Sequence, residues 1–281
     1  MLLALDVGNT NVVGGLYGGQ ALLCQWRVST EARLTADELL VLWDALFRTR
    51  GYSPHDLTGA CLASVVPGLT EGYRRLTERL FGVPTVMVSA DVDLGIAVRA
   101  DNPAEVGADR LANTLAAGRK YGTPAVVVDF GTATNFDVAA ADGAYVGGAI
   151  APGMGASMEA LVSRTARLFR VPLSKPERAI GRNTVACLQS GAFFGYVGLV
   201  DSLLRRIVDE LGGRAAVIAT GGLADVLAPE VPIIQHVDPQ LTLDGIRMVW
   251  EMNQGHGDTG TRGGGKQPFS ASPPLRVSAS S

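Results

Sequence analysis

Cysteine and histidine are scarce and dispersed. Cys24, Cys61, Cys187, His55, His236 and His256 stand far apart in 281 residues. None falls in a CxxC pair or in the Cys/His spacing of a zinc site, and an odd number of scattered thiols gives no disulfide framework. The expectation is a reducing compartment and no structural zinc. Charge is also sparse, 18% of residues with a net of -3, so the chain lacks the basic field that drives sequence-independent binding to nucleic acid. No run of about 18 apolar residues occurs, and the apolar start Met1 to Leu5 has no basic flank and stops at Asp6, so neither a membrane span nor a signal peptide is expected. These absences together predict a cytoplasmic protein with no nucleic-acid or membrane partner.

Apolar side chains are plentiful, at 47%, enough to fill one large core or two modest ones. The chain opens as a β-meander, with strands over Leu2 to Val7, Asn11 to Leu16 and Ala21 to Val28, separated by glycine and polar turns. Thr35 and Glu38 form a capping box ahead of an amphipathic helix to about Arg48, and a further helix is expected over Thr70 to Leu80. Ala60 to Val66 and Thr85 to Val88 read as buried strands. The meander then recurs: Ala125 to Phe130, Thr134 to Ala139 and Tyr145 to Ile150, with a turn at residues 141–143. Helices are expected over Asn183 to Leu211 and Leu241 to Asn253, with a strand at Ala215 to Thr220 between them.

The two meanders share a turn. Asp6-Val7-Gly8-Asn9-Thr10-Asn11 in the first matches Asp129-Phe130-Gly131-Thr132-Ala133-Thr134 in the second, each where an apolar strand meets its hairpin. An internal duplication follows: an α/β protein with halves at 1–118 and 119–254, and a tail at 255–281 whose Gly, Ser and Pro content predicts disorder. Gly260 to Lys266 in that tail resembles the start of a P-loop. Gln267 stands where that motif needs Ser or Thr, Pro268 blocks the helix, and no strand precedes it, so it is rejected.

A strand-end carboxylate followed by glycine and small hydroxyl residues is suited to phosphate chemistry. Turn N–H groups hold phosphate oxygens while the carboxylate holds a cation. A single such turn is equally a plain hairpin; two matched copies facing one cleft would supply both sides of a phosphoryl-transfer site. Asp109 and Arg110 fall in the first turn of a helix running to about Lys120. An acid there suits the helix dipole, whereas Arg110 requires an anion, either a substrate or an ion pair to Asp101 or Glu105. Gly147-Gly148 and Pro152-Gly153-Met154-Gly155 precede a helix expected from about Ser157, as ligand contacts or as close packing. Thr220-Gly221-Gly222 would let a flat group approach the backbone, or serve as a simple turn.

With these motifs in this order, the chain resembles the type III pantothenate kinases of the actin/Hsp70/sugar-kinase superfamily over residues 1 to about 253. The residues carrying the resemblance are Asp6 to Asn11, Asn102-Pro103 with Val106 to Arg110, Asp129 to Thr134, Gly147 to Gly153 and Thr220 to Gly222. The resemblance implies two ribonuclease-H-like domains and ATP-dependent phosphorylation of pantothenate to 4'-phosphopantothenate, the first step of coenzyme A biosynthesis. It implies that Asp6, Val7, Gly8, Asn9, Thr10, Asn11, Val12, Val13 and Thr132 bind ATP, with Asp6 near Mg²⁺. Asp129 would hold K⁺ or NH4⁺, and Asp109 would accept the proton. Gly107, Ala108, Asp109, Arg110 and Thr184 would contact pantothenate, and a homodimer is implied. Gly191 to Gly198 is either its interface or an ordinary core helix. Ala100 departs from the tyrosine that many members carry before Asp-Asn-Pro. Two alternatives remain at this stage: a superfamily kinase for another small hydroxyl substrate, and a non-catalytic ATP-binding regulator.

Overall fold

The computed structural model describes residues 1–165 and 168–254. The tail at 255–281, with its P-loop-like stretch, lies outside the described residues. The first meander forms as β1 (Leu2–Val7), β2 (Asn11–Gly18) and β3 (Ala21–Ser29), each antiparallel to the next. β4 (Gly59–Ser64) adds in parallel beside β1, and β5 (Thr85–Met87) beside β4. The second meander is β6 (Ala125–Phe130), β7 (Ala133–Ala139) and β8 (Tyr145–Pro152), with β9 (Ala216–Thr220) parallel beside β6 and the short β10 (His236–Val237) beside β9. The sheet orders are β3-β2-β1-β4-β5 and β10-β9-β6-β7-β8. Read from its opposite edge, the second is the first with each strand replaced by its counterpart, as the duplicated turns require.

The helices are α1 (Ala36–Thr49), α2 (Pro67–Arg75), α3 (Ala108–Tyr121), α4 (Met154–Ser163), α5 (Thr184–Glu210), α6 (Ala224–Leu227) and α7 (Leu241–Asn253). The capping box opening α1 is formed: Glu38 N donates to Thr35 Oγ1 and Thr35 N to Glu38 Oε2 at 2.8 Å. α2 starts three residues before the expected Thr70, because Pro67 at its first position gives up an N–H that would lack a partner anyway. It then continues through a wider turn, Leu76–Leu80. α4 starts at Met154 rather than Ser157, and Met154 and Met158, one turn apart, anchor it in the core.

One face of the first sheet packs its Leu3, Leu5 and Leu16 on Leu39, Trp43 and Phe47 of α1. The corresponding face of the second packs Val126, Val128 and Phe136 on Phe193, Tyr196, Val200 and Leu204 of α5. By length and composition α5 could cross a membrane, but that row of side chains seats it on the sheet. Between the sheets lie α3 and α7. Leu111 and Leu115 of α3 join Leu243, Ile246, Val249 and Trp250 of α7 against Leu2, Ala4 and Cys61 of the first sheet. On another face, Ala116 and Ala117 of α3, with Leu241 of α7, pack on Ala125, Val127 and Ile218 of the second. The last helix among the described residues therefore covers the first sheet, while its first residue, Leu241, and α3 also touch the second.

Candidate active site

The duplicated turns converge on a cavity of about 560 Å³. Asp6 is the penultimate residue of β1, across from Val13 in β2 and Ala63 in β4. Asp129 is the penultimate residue of β6, across from Asn135 in β7 and Thr220 in β9. Both enter the cavity, and Asp109 joins them from the first turn of α3. In the first turn Gly8 N donates to Asn11 O at 3.1 Å, and in the second Gly131 N donates to Ala133 O at 3.1 Å. The hydroxyls of Thr10 and Thr132 meet at 2.5 Å, so the two loops touch across the cavity. Thr30, just past β3, fastens the first loop: its Oγ1 donates to Gly8 O at 2.6 Å and its N to Thr10 O at 2.9 Å.

Three carboxylates drawn into one recess repel one another. Burial first, then the charges of Asp109 and Asp129, push the Asp6 carboxyl well above the usual range, with Arg27 pulling against them. Burial, then Asp109, pushes Asp129 up to about 6, while Asn113 and Arg27 oppose. Asp109 is raised by burial and held back by the Arg110 N–H, which donates to its Oδ1 at 2.9 Å, and by the Arg110 guanidinium. That burial makes Asp109 a stronger base than an acid at a helix N-terminus would be.

Among the described residues no three Asp, Glu, His or Cys side chains gather to cage a metal alone. The donor set nevertheless fits cations that arrive with phosphate. Mg²⁺ keeps waters and takes one or two carboxylates beside phosphate oxygens, and two strand-end carboxylates strained by burial and like charge are such partners. Asp129 is held by Asn113, a buried side chain of α3, whose Nδ2 donates to Oδ2 at 3.4 Å. Asn113 Oδ1 in turn accepts from Thr242 Oγ1 of α7 at 2.8 Å. Gly221, with φ of 89°, closes over the same carboxylate: a Cβ there would lie 2.4 Å from Asp129 Oδ1. Glycine is required at that turn, whereas Gly222 beside it stays open on the cavity wall.

Of the residues expected to bind ATP, Asp6, Gly8, Asn9, Thr10, Asn11, Val13 and Thr132 line the cavity. The side chains of Val7 and Val12 point into the core beneath the first sheet. Of those expected at the substrate, Asp109 lines it; Gly107 caps α3, Ala108 packs in the core and Thr184 is the exposed first residue of α5. Arg110 pairs with neither Asp101 nor Glu105. Its Nε donates to Oδ1 of Asp137, a fully buried residue of β7, at 2.6 Å, and its guanidinium lies over the Tyr145 ring. Glu105 instead accepts from Asn102. Asp137, Asn113, Thr30 and Arg27 are parts of this site that sequence reasoning missed. Alternation along β3 sets Gln25 and Arg27 on the face opposite buried Trp26, but period alone does not say that this face meets a cavity.

A family model described as type III pantothenate kinase matches residues 2–206. Curated relatives bearing that name include one from Roseiflexus castenholzii (strain DSM 13941 / HLO8), 49% identical over 254 residues, covering 90% of this chain and 100% of the relative. Another, from Moorella thermoacetica (strain ATCC 39073 / JCM 9320), is 47% identical over 253 residues with the same coverage. Among solved structures, a Campylobacter jejuni protein assigned to the Baf family of transcriptional activators superposes with a TM-score of 0.58 at 19% identity, covering 90% of this chain and 99% of that one. A Sinorhizobium meliloti protein assigned as a 2-dehydro-3-deoxygalactonokinase gives 0.58 at 12% identity, covering 94% and 100%. At such identities these two speak for the fold alone, two ribonuclease-H-like domains with mixed sheets.

Proposed function

The chain belongs to the type III pantothenate kinase family, and from that premise we propose how its cavity carries out the reaction. It is an ATP-dependent kinase that phosphorylates pantothenate, the first step of coenzyme A biosynthesis. The observation that carries the mechanism is the meeting of Asp6, Asp109 and Asp129 around one cavity with a phosphate-type turn on each side. The turn from Gly8 to Asn11 and Thr132 hold the phosphates of ATP through N–H and hydroxyl donors. Val7 and Val12 contribute backbone only, since their side chains are in the core. ATP comes with a divalent ion, which as Mg²⁺ would be held by Asp6; a monovalent ion, K⁺ or NH4⁺, would be held by Asp129. Bound there, the cations would neutralise phosphate charge.

Asp109 takes a hydrogen bond from the attacking hydroxyl of pantothenate, aligns it on the γ-phosphorus and receives its proton late in the transfer. Arg110, on the next position of α3, receives the pantothenate carboxylate, with Gly107, Ala108 and Thr184 completing that subsite. Asp137 holds the guanidinium by Nε alone. The other two nitrogens make no hydrogen bond among the described residues, and they offer the bidentate fork that a carboxylate fits.

A homodimer belongs to the same reading. α4 and α5 leave between them an apolar groove of about 360 Å³, lined by Met158, Leu161, Leu188, Ala192 and Leu199, with Leu161 and Leu199 exposed. A second copy would cover it, and Gly191 and Gly195 on its floor allow close approach. The boundary at residues 118 and 119 and a cytoplasmic location, which suits three free thiols, complete it. The regulator alternative finds its counterpart in the name of a 19% identical neighbour, whereas kinases stand at nearly half identity.

The test is ADP release by the purified protein with ATP, Mg²⁺ and pantothenate, in K⁺ and in Na⁺. Release that needs pantothenate, is faster in K⁺ and falls by about 100-fold or more in Asp109→Asn is expected, about 100-fold being the lower end for loss of a positioned base. Unchanged turnover in that variant would sink the role of Asp109. Equal rates in both salts would remove the monovalent site.

A further inference from the structure

The cavity wall carries four acidic residues, Asp6, Asp109, Asp129 and Glu159, and among the described residues a single lysine or arginine, Arg27. Arg27 stands on β3 opposite Val13 of β2, two residues after Gln25. All three face the cavity, while Trp26 between them turns into the core. Its neighbour in charge, Arg110, is engaged by Asp137. Arg27 makes no salt bridge among the described residues, although its charge draws down the carboxyls of Asp6 and Asp129 on either side of the reacting centre. A guanidinium left without a carboxylate in a recess of carboxylates is placed for an incoming anion rather than for the fold. An ion pair with any one of the four would have spent it.

We propose that Arg27 is a catalytic residue of this kinase, donating to the oxygens of the γ-phosphoryl group as it moves from ADP to the pantothenate hydroxyl. The inference rests on the reading that the ATP phosphates lie between the Gly8 and Gly131 turns. In transfer, the bond from the γ-phosphorus to the bridging oxygen of ADP breaks and one to the hydroxyl oxygen forms. ADP keeps the electron pair and the hydroxyl proton passes to Asp109. Negative charge is spread over the three equatorial oxygens, and the planar guanidinium of Arg27 offers them two donors in one plane. Such a donor acts on the transition state more than on either bound substrate, so its removal should show in kcat. A strand residue exposed on the cavity side can be changed without opening the core.

The experiment compares wild type, Arg27→Met and Arg27→Lys for kcat, KM for ATP and for pantothenate, and ADP affinity by calorimetry, with thermal melts as the folding control. For Arg27→Met, kcat should fall at least tenfold and about 100-fold by analogy with loss of one transition-state donor. Pantothenate KM and ADP affinity should stay within threefold, and Arg27→Lys should recover part of the rate. A fall in kcat below tenfold overturns the proposal. So does a loss confined to pantothenate KM, which would make Arg27 a substrate-carboxylate ligand, or a loss of ADP affinity equal to that of turnover, which would make it a general nucleotide anchor. If wild type itself binds nucleotide and releases no ADP with pantothenate, the reading of the cavity fails first. Normal wild-type turnover with an unaffected Arg27→Met variant defeats this inference alone.

Discussion

Asp137 Oδ1 takes the Arg110 guanidinium, while its Oδ2 is buried without a hydrogen-bond partner among the described residues. Burial pushes this carboxyl from 3.8 to about 7, against the pull of Arg110, because desolvating a carboxylate costs more here than one ion-pair contact returns. A folded-state pKa above the unfolded one means that the stabilisation by the neutral acid is complete at low pH. It is lost as pH rises from about 4 through about 7. Asp137→Asn is neutral at every pH, so relative to wild type it should melt higher at pH 8 than at pH 5; a difference independent of pH would refute the shifted carboxyl. The same variant should raise pantothenate KM about tenfold, for a charge-assisted hydrogen bond weakened by roughly 1.5 kcal/mol, with kcat largely kept. In the sequence, the strand-end aspartates were legible because glycine and hydroxyl residues follow them. Asp137 was not, since it lies 27 residues from Arg110 and nothing local marks an acid on β7 as the partner of a helix N-terminus.

Between α3 and α7 the backbones approach closely at Gly245, where a Cβ would fall 2.1 Å from the carbonyl oxygen of Ala112. Alanine there forces the helices apart at a cost of about 1–3 kcal/mol, or roughly 2–12 °C in melting temperature for a domain of this size. Because α3 carries Asp109 and Asn113, and α7 carries the Thr242 that braces Asn113, Gly245→Ala should also lower kcat. Gly68→Ala serves as the control: it is an exposed position of α2 with open space around it, and gains helix propensity. If both variants melt alike, the contact at Ala112 does not matter. The extent of α7 was readable from its apolar periodicity, and the start of α1 from Thr35 and Glu38. Which sheet α7 would cover was not, because an apolar stripe records only that something must be buried. Pro67 was passed over as a helix start since proline reads as a breaker before its first-turn role is considered.

At the scale of the whole chain, the duplication legible in two Asp-x-Gly turns yields two sheets of equal topology, and α7, from the second half of the chain, packs on the sheet of the first. A fragment of residues 1–118 keeps β1 to β5 and most of α3 and loses α7, exposing Leu2, Ala4 and Cys61 on the face that Leu243, Ile246, Val249 and Trp250 now cover. Those four α7 side chains are nearly all removed from water. At about 1.5–3 kcal/mol each their loss approaches the roughly 5–15 kcal/mol that holds a typical protein folded. The 1–118 fragment alone should therefore show no cooperative melt by circular dichroism, and neither should a chain ended at residue 240. Residues 241–254 supplied as a peptide should restore helicity and a transition to the shortened chain, because burying their apolar side chains on both sheets returns the free energy that the truncation removed. A cooperative melt of 1–118 on its own would show that the first half is an autonomous domain and that α7 only closes it. With α7 required, the pair α3 and α7 joins Asp6 in one half to Asp129 in the other. Cation and nucleotide binding should then stabilise both halves in a single transition rather than two.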